Sequence, residues 1–255
     1  MPKQPSTHES NLRLTLNGSS KTVVRFFEVA CNTILFQRGV YPPEDFTRVK
    51  RYGLDLRTIC DDEARAYIKM IVHQLYRWLR KSHVSGVDII ITSRETGQHI
   101  ERWHFDVRLY LRSSVAVWDT PADKLQITVT NEDGKNCNIA GSRDEEHDAP
   151  IMREMKVIQK TETEVEQEIQ SLFRQIAASV TFLPILDGEY TFNVMICVDA
   201  NSKVPQDWVE SETKEITNAE EVLLRSFFTS SHQVGTVVSY RYGLLKNNAA
   251  TLATC

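Results

Sequence analysis

The sequence lacks the features that mark several classes of protein. Five cysteines, Cys31, Cys60, Cys137, Cys197 and Cys255, are scattered over 255 residues without a C-x-x-C pair. Such a set predicts neither a disulfide framework nor a zinc site, and it suits a reducing compartment, cytosol or nucleus. Every apolar run is far shorter than the ~20 residues needed to cross a bilayer. We therefore expect no membrane span.

A strong excess of charge is also lacking. Thirty Lys and Arg residues stand against thirty-four Asp and Glu, and the formal net charge is −4. This balance argues against a global electrostatic grip on nucleic acid. Two short basic clusters, at residues 48–52 and 77–81, are more typical of a solvated surface than of nucleic-acid contact in such a chain. We expect no nucleic-acid partner.

The common catalytic and nucleotide-binding motifs are missing, among them G-x-G-x-x-G, G-x-x-x-x-G-K-[ST], H-E-x-x-H and G-x-S-x-G. His104 and Asp106 share one face of a predicted strand and could form an acid/base pair. Alternate polar residues on a half-exposed sheet, however, commonly serve solubility alone. His73 lies in a helical segment, where a partly exposed histidine is far more common than a metal ligand. The sequence therefore predicts no enzyme, no metal site and no cofactor.

Three segments carry the apolar periodicity of helices. The first follows Ser19 and Ser20, which are candidate N-caps. The second opens at Asp61 or Asp62 and has one broad apolar stripe. The third has acidic residues near its start, where the helix dipole favours them, and Pro184 ends it. The apolar positions of the three are Val23, Phe26, Phe27, Ala30 and Ile34; Ala64, Tyr67, Ile68, Ile71, Val72, Leu75, Trp78 and Leu79; and Val165, Ile169, Leu172, Phe173, Ile176 and Val180.

Strand patterns lie between and after these helices. Residues 87–92 are rich in β-branched side chains and lead through a turn into residues 99–111, which predicts a β-hairpin. Three later segments alternate in hydrophobicity, at residues 190–199, 222–230 and 234–242. Helices interspersed with antiparallel strands predict an α+β fold in which the helices pack on one face of a sheet.

Between residues 112 and 156 the periodicity is lost and acidic residues accumulate. We interpret this stretch as a long surface insertion, because the cost of closing a loop grows slowly with its length. Residues 125–129 followed by the turn-like residues 131–134 could form a small hairpin. An unstructured loop is equally supported.

Six short motifs stand in order along the chain. They are N-T-I-L-F-Q-R-G-V-Y-P at 32–42, F-T-R-V at 46–49, E-R-W-H-F-D at 101–106, F-R-Q-I at 173–176, T-F-L-P at 181–184 and L-R-S-F at 224–227. Together they resemble the successive signatures of the HORMA-domain family, and within it those of the spindle-checkpoint branch. The resemblance implies three long helices on a mainly antiparallel sheet over residues 12–242, with flexible tails at 1–11 and 243–255. The insertion is either a lineage-specific loop or a gene-model error such as an unspliced intron.

The resemblance implies a binding switch rather than a catalyst. Members of this family adopt open and closed folds by re-pairing a mobile C-terminal segment, here residues 199–242, which in the closed fold passes over a bound peptide like a safety belt. The peptide adds a strand to a sheet edge. Several β-forming stretches after residue 222 allow more than one register, although an ordinary single-register hairpin would be favoured without the resemblance. The belt and peptide-clamp residues that the resemblance assigns are Trp208, Arg225, Phe227, His232, Val238 and Tyr240.

The resemblance also implies particular partners. They are the WD-repeat activator of the anaphase-promoting complex, whose capture delays anaphase, the coiled-coil kinetochore receptor, and an AAA+ remodelling ATPase with its adaptor. The implied locations are the nucleus, kinetochore and nuclear envelope in the mitotic cycle, and the cytoplasm. An alternative within the family is an adaptor that bridges translesion polymerase subunits, but the motifs at 101–103 and 224–227 favour the checkpoint branch.

Self-association is a further implication of the resemblance. Family members dimerise between an open and a closed copy through the third helix, and Arg174, Gln175 and Phe182 match the interface motif. By residue type alone, Arg174 would be favoured as a solvent-facing helix arginine and Phe182 as a core residue. We expect these three residues to form the dimer interface.

Overall fold

The computed structural model describes residues 7–109, 129–130, 136–137, 160–200, 202–211 and 215–241, with side chains from residue 16 onward except at 129–130 and 136–137. The chain divides into two units, one made of residues 1–111 and 159–255 and the other of residues 112–158. The helices are α1 (Thr7–Gln37), α2 (Asp62–Leu79) and α3 (Glu162–Ala178). The strands are β1 (Phe46–Arg51), β2 (Leu54–Ile59), β3 (Val84–Ser93), β4 (His99–Leu109), β5 (Val129–Thr130), β6 (Asn136–Cys137), β7 (Tyr190–Val198), β8 (Glu220–Phe228) and β9 (His232–Tyr240).

The second unit contains the predicted insertion. Its two short strands, β5 and β6, pair antiparallel with Val129 opposite Cys137. The rest of the expected insertion at 112–156, including most of the small hairpin expected around residues 125–134, lies outside the described residues. The tail expected at 243–255 lies outside them as well.

The start of α1 differs from the sequence-based expectation. The helix begins at Thr7, inside the segment expected as a tail at residues 1–11, so Ser19 and Ser20 are not N-caps. Both are buried within the helix. The Ser20 hydroxyl donates to the Leu16 carbonyl at 2.8 Å. A serine that bonds back to the preceding turn satisfies its hydroxyl without ending the helix, and this is why the cap signal was misleading.

The starts of α2 and α3 carry caps encoded in the sequence. The Asp61 carboxylate accepts the Ala64 backbone N–H at 2.8 Å, which confirms the predicted start of α2. At α3, Thr161 and Glu164 form a reciprocal capping box. Each arrangement satisfies backbone N–H groups that a helix otherwise leaves without an intrahelical acceptor.

The main sheet has the strand order β7-β3-β4-β9-β8, with each neighbouring pair antiparallel. The predicted hairpin at 87–111 is present as β3 and β4, and the three later strand predictions correspond to β7, β8 and β9. A separate hairpin, β1 and β2, was not predicted, because residues 48–52 have the composition of a basic cluster and not of a strand. Tyr52 and Gly53 form its turn, both at positive φ, as tight hairpin turns require.

The core lies between the sheet and the helices. Four aromatic rings meet there, with the Phe26 ring 5.7 Å from Phe105, 5.4 Å from Phe173 and 4.7 Å from Phe227. These residues belong to α1, β4, α3 and β8. The C-terminal hairpin, meaning β8 with β9, is therefore part of the core. The predicted α+β architecture of helices on a mainly antiparallel sheet is confirmed. In the described part of the chain, none of the helices is long and apolar enough to span a membrane.

A buried ion pair ties three parts of the fold together. Arg38 follows α1, and its Nε donates to a Glu101 carboxylate oxygen on β4 at 2.8 Å, with both side chains at most 5% exposed. Arg38 also donates to the Pro184 carbonyl, beyond α3. The Trp103 indole N–H donates to Glu101 at 2.6 Å. Burial raises the pKa of the Glu101 carboxyl, while the charge of Arg38 and the bond from Trp103 oppose that rise.

Loss of this pair is expected to destabilise the fold strongly. In Arg38→Ala, Glu101 is left as a buried charge without its cation, which typically lowers the free energy of unfolding by about 3–5 kcal/mol. Denaturant titration measures the loss. Arg65→Ala is the matched control, because it removes an exposed ion pair with Asp62 that contributes less than about 1 kcal/mol. Equal losses in the two variants would contradict this account.

Candidate functional site

One edge of the main sheet is open to another strand. β7 is the first strand in the sheet and pairs only with β3 among the described residues. On its outer side, the Val194 backbone N–H donates to the Tyr67 hydroxyl of α2 at 3.3 Å, so α2 lies beside this edge. A strand with unpaired backbone groups is a template for pairing with an extended segment of another chain.

The chain leaves this edge and reappears at the opposite one. The crossing connection, residues 199–219, joins the end of β7 to the start of β8, which is the last strand in the sheet. Five strands span about 19 Å at the usual interstrand spacing. A connection of this length can reach about 70 Å when extended. It is therefore long enough to pass around an added strand and still close the sheet.

The crossing connection is anchored close to α2. The Asp199 backbone N–H donates to the His83 carbonyl at 3.0 Å. Farther along, the Trp78 indole N–H donates to the Lys203 carbonyl at 3.3 Å. The Trp208 ring packs edge-on against Trp78, with centroids 5.1 Å apart. Trp78 was predicted only as a member of the apolar stripe of α2, and nothing in its spacing distinguishes an anchor from a core residue.

Of the six residues assigned to the belt and clamp, only Trp208 lies in the crossing connection. The other five lie in the C-terminal hairpin, Arg225 and Phe227 on β8 and His232, Val238 and Tyr240 on β9. Arg225 is exposed, and the other four are buried. Phe227 and Val238 are fully buried, so in this arrangement they hold the hairpin on the sheet.

The three residues expected at the dimer interface lie around the end of α3, beside the same hairpin. Arg174 is exposed and Gln175 half-buried. The Gln175 side-chain oxygen accepts the Arg225 backbone N–H at 2.7 Å. The Phe182 ring lies 6.2 Å from the Tyr240 ring. The structure thus brings these residues to one end of α3 and leaves the Arg174 guanidinium facing solvent.

The acid/base pair considered for His104 has a different partner. His104 Nδ1 lies 2.7 Å from an Asp88 oxygen, whereas Asp106 accepts from Arg108 at 2.8 Å. The Asp88 carboxylate also accepts hydrogen bonds from Nε and a terminal nitrogen of Arg102, each at 3.1 Å. The bonds from His104 and Arg102 lower the pKa of Asp88 against the opposing effect of burial. The arrangement neutralises a buried carboxylate, and His104 bonds Asp88 instead of forming the acid/base pair with Asp106 that the sequence left possible.

A second buried histidine joins the hairpin to α1. His232 Nδ1 lies 2.5 Å from the Ser19 hydroxyl, and Ser19 also bonds Thr229. His232 is 2% exposed. Burial lowers the pKa of its imidazole to about 4, because a charged ring would lose its hydration there. The ring is therefore neutral at pH 7.

Comparison with known proteins agrees with this architecture. The HORMA domain model matches residues 19–237. The mitotic spindle checkpoint component mad2 of Schizosaccharomyces pombe is 41% identical over 227 residues, covering 89% of this chain and 94% of the relative. The mitotic spindle assembly checkpoint protein MAD2A of Homo sapiens is 37% identical over 228 residues, covering 89% and 93%. The chain belongs to the HORMA-domain family.

Solved structures give the same result. A chain in the crystal structure of a mitotic checkpoint complex superposes with a TM-score of 0.67 at 38% identity, covering 88% of this chain and 99% of that one. C. elegans HTP-1, solved bound to the HIM-3 closure motif, has a TM-score of 0.59 at 16% identity, covering 88% and 91%, which supports the fold alone. The function of this chain is in the spindle checkpoint. None of these comparisons favours the translesion alternative.

Burial of His232 makes stability depend on pH. His232 takes up its proton near pH 6.5 in the unfolded chain but only near pH 4 in the folded chain. Its contribution to the free energy of unfolding is therefore greatest above pH 6.5 and is lost as the pH falls toward 4. This histidine alone is expected to lower the free energy of unfolding by about 2 kcal/mol between pH 7 and pH 5. Denaturant titrations at both pH values measure it. His232→Gln should lose this part of the pH dependence. His73→Gln is the control, because His73 lies on the exposed side of α2, and it should keep the pH dependence of the unmodified chain. The same dependence of stability on pH in all three proteins would refute the role of His232.

Proposed function

We propose that this chain captures a short peptide motif as an added strand on β7 and retains it beneath the crossing connection. Two features together carry the proposal. β7 pairs only with β3 among the described residues, and the connection that starts at the end of β7 is anchored on Trp78. Backbone hydrogen bonds would supply affinity, and the alternating side chains of the peptide would supply specificity. The activity proposed is binding, not catalysis.

The C-terminal hairpin makes the capture switchable on this proposal. The described arrangement, with β9 beside β4, corresponds to the closed fold, in which the connection must cross the sheet. An open fold would re-pair residues 199–242 elsewhere and release the connection. Two packings of one sequence that differ by a few kcal/mol can act as such a switch.

The partners that we propose are the WD-repeat activator of the anaphase-promoting complex and the coiled-coil kinetochore receptor. Capture of the activator would withhold it from the ubiquitin ligase and delay anaphase. An AAA+ remodelling ATPase with its adaptor would return the closed fold to the open one. These partners place the protein at the kinetochore, in the nucleus and at its envelope, and in the cytoplasm. The supporting observation is the 38% identity to a chain of a mitotic checkpoint complex.

The contact between Trp208 and Trp78 is expected to slow the release of peptide. An edge-on aromatic pair contributes about 0.5–1.5 kcal/mol beyond its buried area, and contact losses act mainly on dissociation rates. Trp208→Ala should therefore release synthetic peptides of the two partner types about two- to tenfold faster, as measured by surface plasmon resonance. Val209→Ala is the control, because Val209 is the next residue and 88% exposed. An unchanged rate in Trp208→Ala would count against retention by the crossing connection.

Self-association is proposed to use the exposed end of α3. Arg174→Glu reverses a charge that faces solvent, and opposing charges across an interface weaken association. Sedimentation should show a monomer at concentrations where the unmodified chain dimerises, with peptide binding retained. Lys69→Glu makes the same charge change on the exposed side of α2 and should still dimerise. Dimerisation of Arg174→Glu at the normal strength would exclude Arg174 from the interface.

A further inference from the structure

The other edge of the sheet is closed by side chains of α3. β8 is the outermost strand, and it pairs only with β9 among the described residues. The Phe228 backbone N–H donates to a Glu168 carboxylate oxygen at 3.0 Å, and the Arg225 backbone N–H donates to the Gln175 side-chain oxygen at 2.7 Å. Two side chains of one helix thus take donors that an edge strand ordinarily presents to solvent or to another chain.

The spacing of these two contacts matches helix to strand. Glu168 and Gln175 are two turns apart on one side of α3, a rise of about 10.5 Å. Arg225 and Phe228 are three residues apart on β8, which is at most about 10 Å along the chain. The residue nearer the start of α3 meets the residue nearer the end of β8, so the two elements run antiparallel. In a regular strand, N–H groups three residues apart face opposite sides. The pairing of β8 with β9 shifts register between Leu224 and Phe227, and an extra residue of this kind lets both N–H groups face α3. The two contacts together therefore depend on this register.

The Glu168 contact is further supported by charge. Lys160, just before α3, forms an ion pair with Glu168, and its Nζ lies 4.5 Å from the centre of the Phe228 ring. The same lysine therefore contacts the acceptor and the residue that carries the donor. A hydrogen bond to a charged acceptor contributes about 1.5–3 kcal/mol, more than a neutral one.

The two edges of the main sheet differ in how a neighbouring helix bonds their outward backbone N–H groups. At β7, the contact seen from α2 is a single bond of 3.3 Å to a neutral hydroxyl, that of Tyr67. At β8, there are two shorter bonds, one of them to a carboxylate. We infer that Glu168 and Gln175 form an edge lock, which fixes the register of the C-terminal hairpin and closes β8 to further strands. The consequence that a peptide strand is directed to β7 rests on the proposed function, whereas the edge lock itself does not.

The lock is a property of the free chain and can be tested without any peptide. Amide hydrogen exchange of the isotopically labelled protein, followed by NMR, reports the opening of single N–H groups. In Glu168→Ala, the Phe228 amide should exchange roughly ten- to a hundredfold faster than in the unmodified chain. Glu168→Gln keeps an acceptor and should restore most of the protection. Glu166→Ala removes the same charge from an exposed position two residues away and should leave the Phe228 amide unchanged.

The second contact gives an independent measurement. Gln175→Ala should accelerate exchange of the Arg225 amide in the same way while leaving Phe228 protected, and this comparison decides the matter if Glu168→Ala does not fold. Unchanged protection of Phe228 in folded Glu168→Ala, or of Arg225 in Gln175→Ala, would overturn the edge lock. That result would leave peptide capture at β7 intact, whereas failure of peptide binding with both amides behaving as expected would refute the proposed function alone.

Discussion

The pairing of β9 with β4 is the contact on which the rest of the structure depends. β9 lies along most of β4, from Tyr240 opposite Glu101 to His232 opposite Leu109. Because β9 occupies that side, β8 becomes the outer strand and Phe227 joins the aromatic core. The same pairing leaves β7 at the far edge with only β3 beside it among the described residues. One strand pairing therefore decides which edge is open and obliges the crossing connection to span the sheet.

This topology couples retention of a bound strand to the stability of the hairpin. On the proposed function, a strand held between β7 and the crossing connection leaves by sliding along its own axis or after the connection is released. Full release requires the hairpin to leave the core, where Phe227 and Val238 are fully buried. Exposing one such side chain costs about 1.5–3 kcal/mol. The burial that stabilises the hairpin therefore also lengthens the residence time of the peptide, with no need for many contacts to the peptide itself.

Much of the fold could be predicted from local patterns, and the parts that could not are those set by distant contacts. The starts of α2 and α3, and the hairpin of β3 and β4, follow from caps, apolar stripes and β-branched runs that act within a few residues. The hairpin of β1 and β2 was missed because β1 has only two apolar residues, Phe46 and Val49, which are three apart and do not give the alternation of a strand. The strand order is not readable from periodicity, since β9 carries the same alternation whichever strand it joins. For the same reason the contact of Glu168 with β8 could not be predicted. The sequence indicates only that Glu168 is one of the acidic residues that the helix dipole favours near the start of α3.

A few polar contacts are sufficient to decide between two arrangements of the hairpin. Alternative packings of a switching protein differ by only a few kcal/mol, while each hydrogen bond from β8 to α3 contributes about 1–3 kcal/mol. The apolar side chains of the hairpin do not by themselves select one docking position, because apolar contact is not directional. Glu168, Gln175 and Ser19 require particular partners at particular distances. Burial thus supplies most of the stabilisation, and these three side chains specify the place and the register in which the hairpin docks.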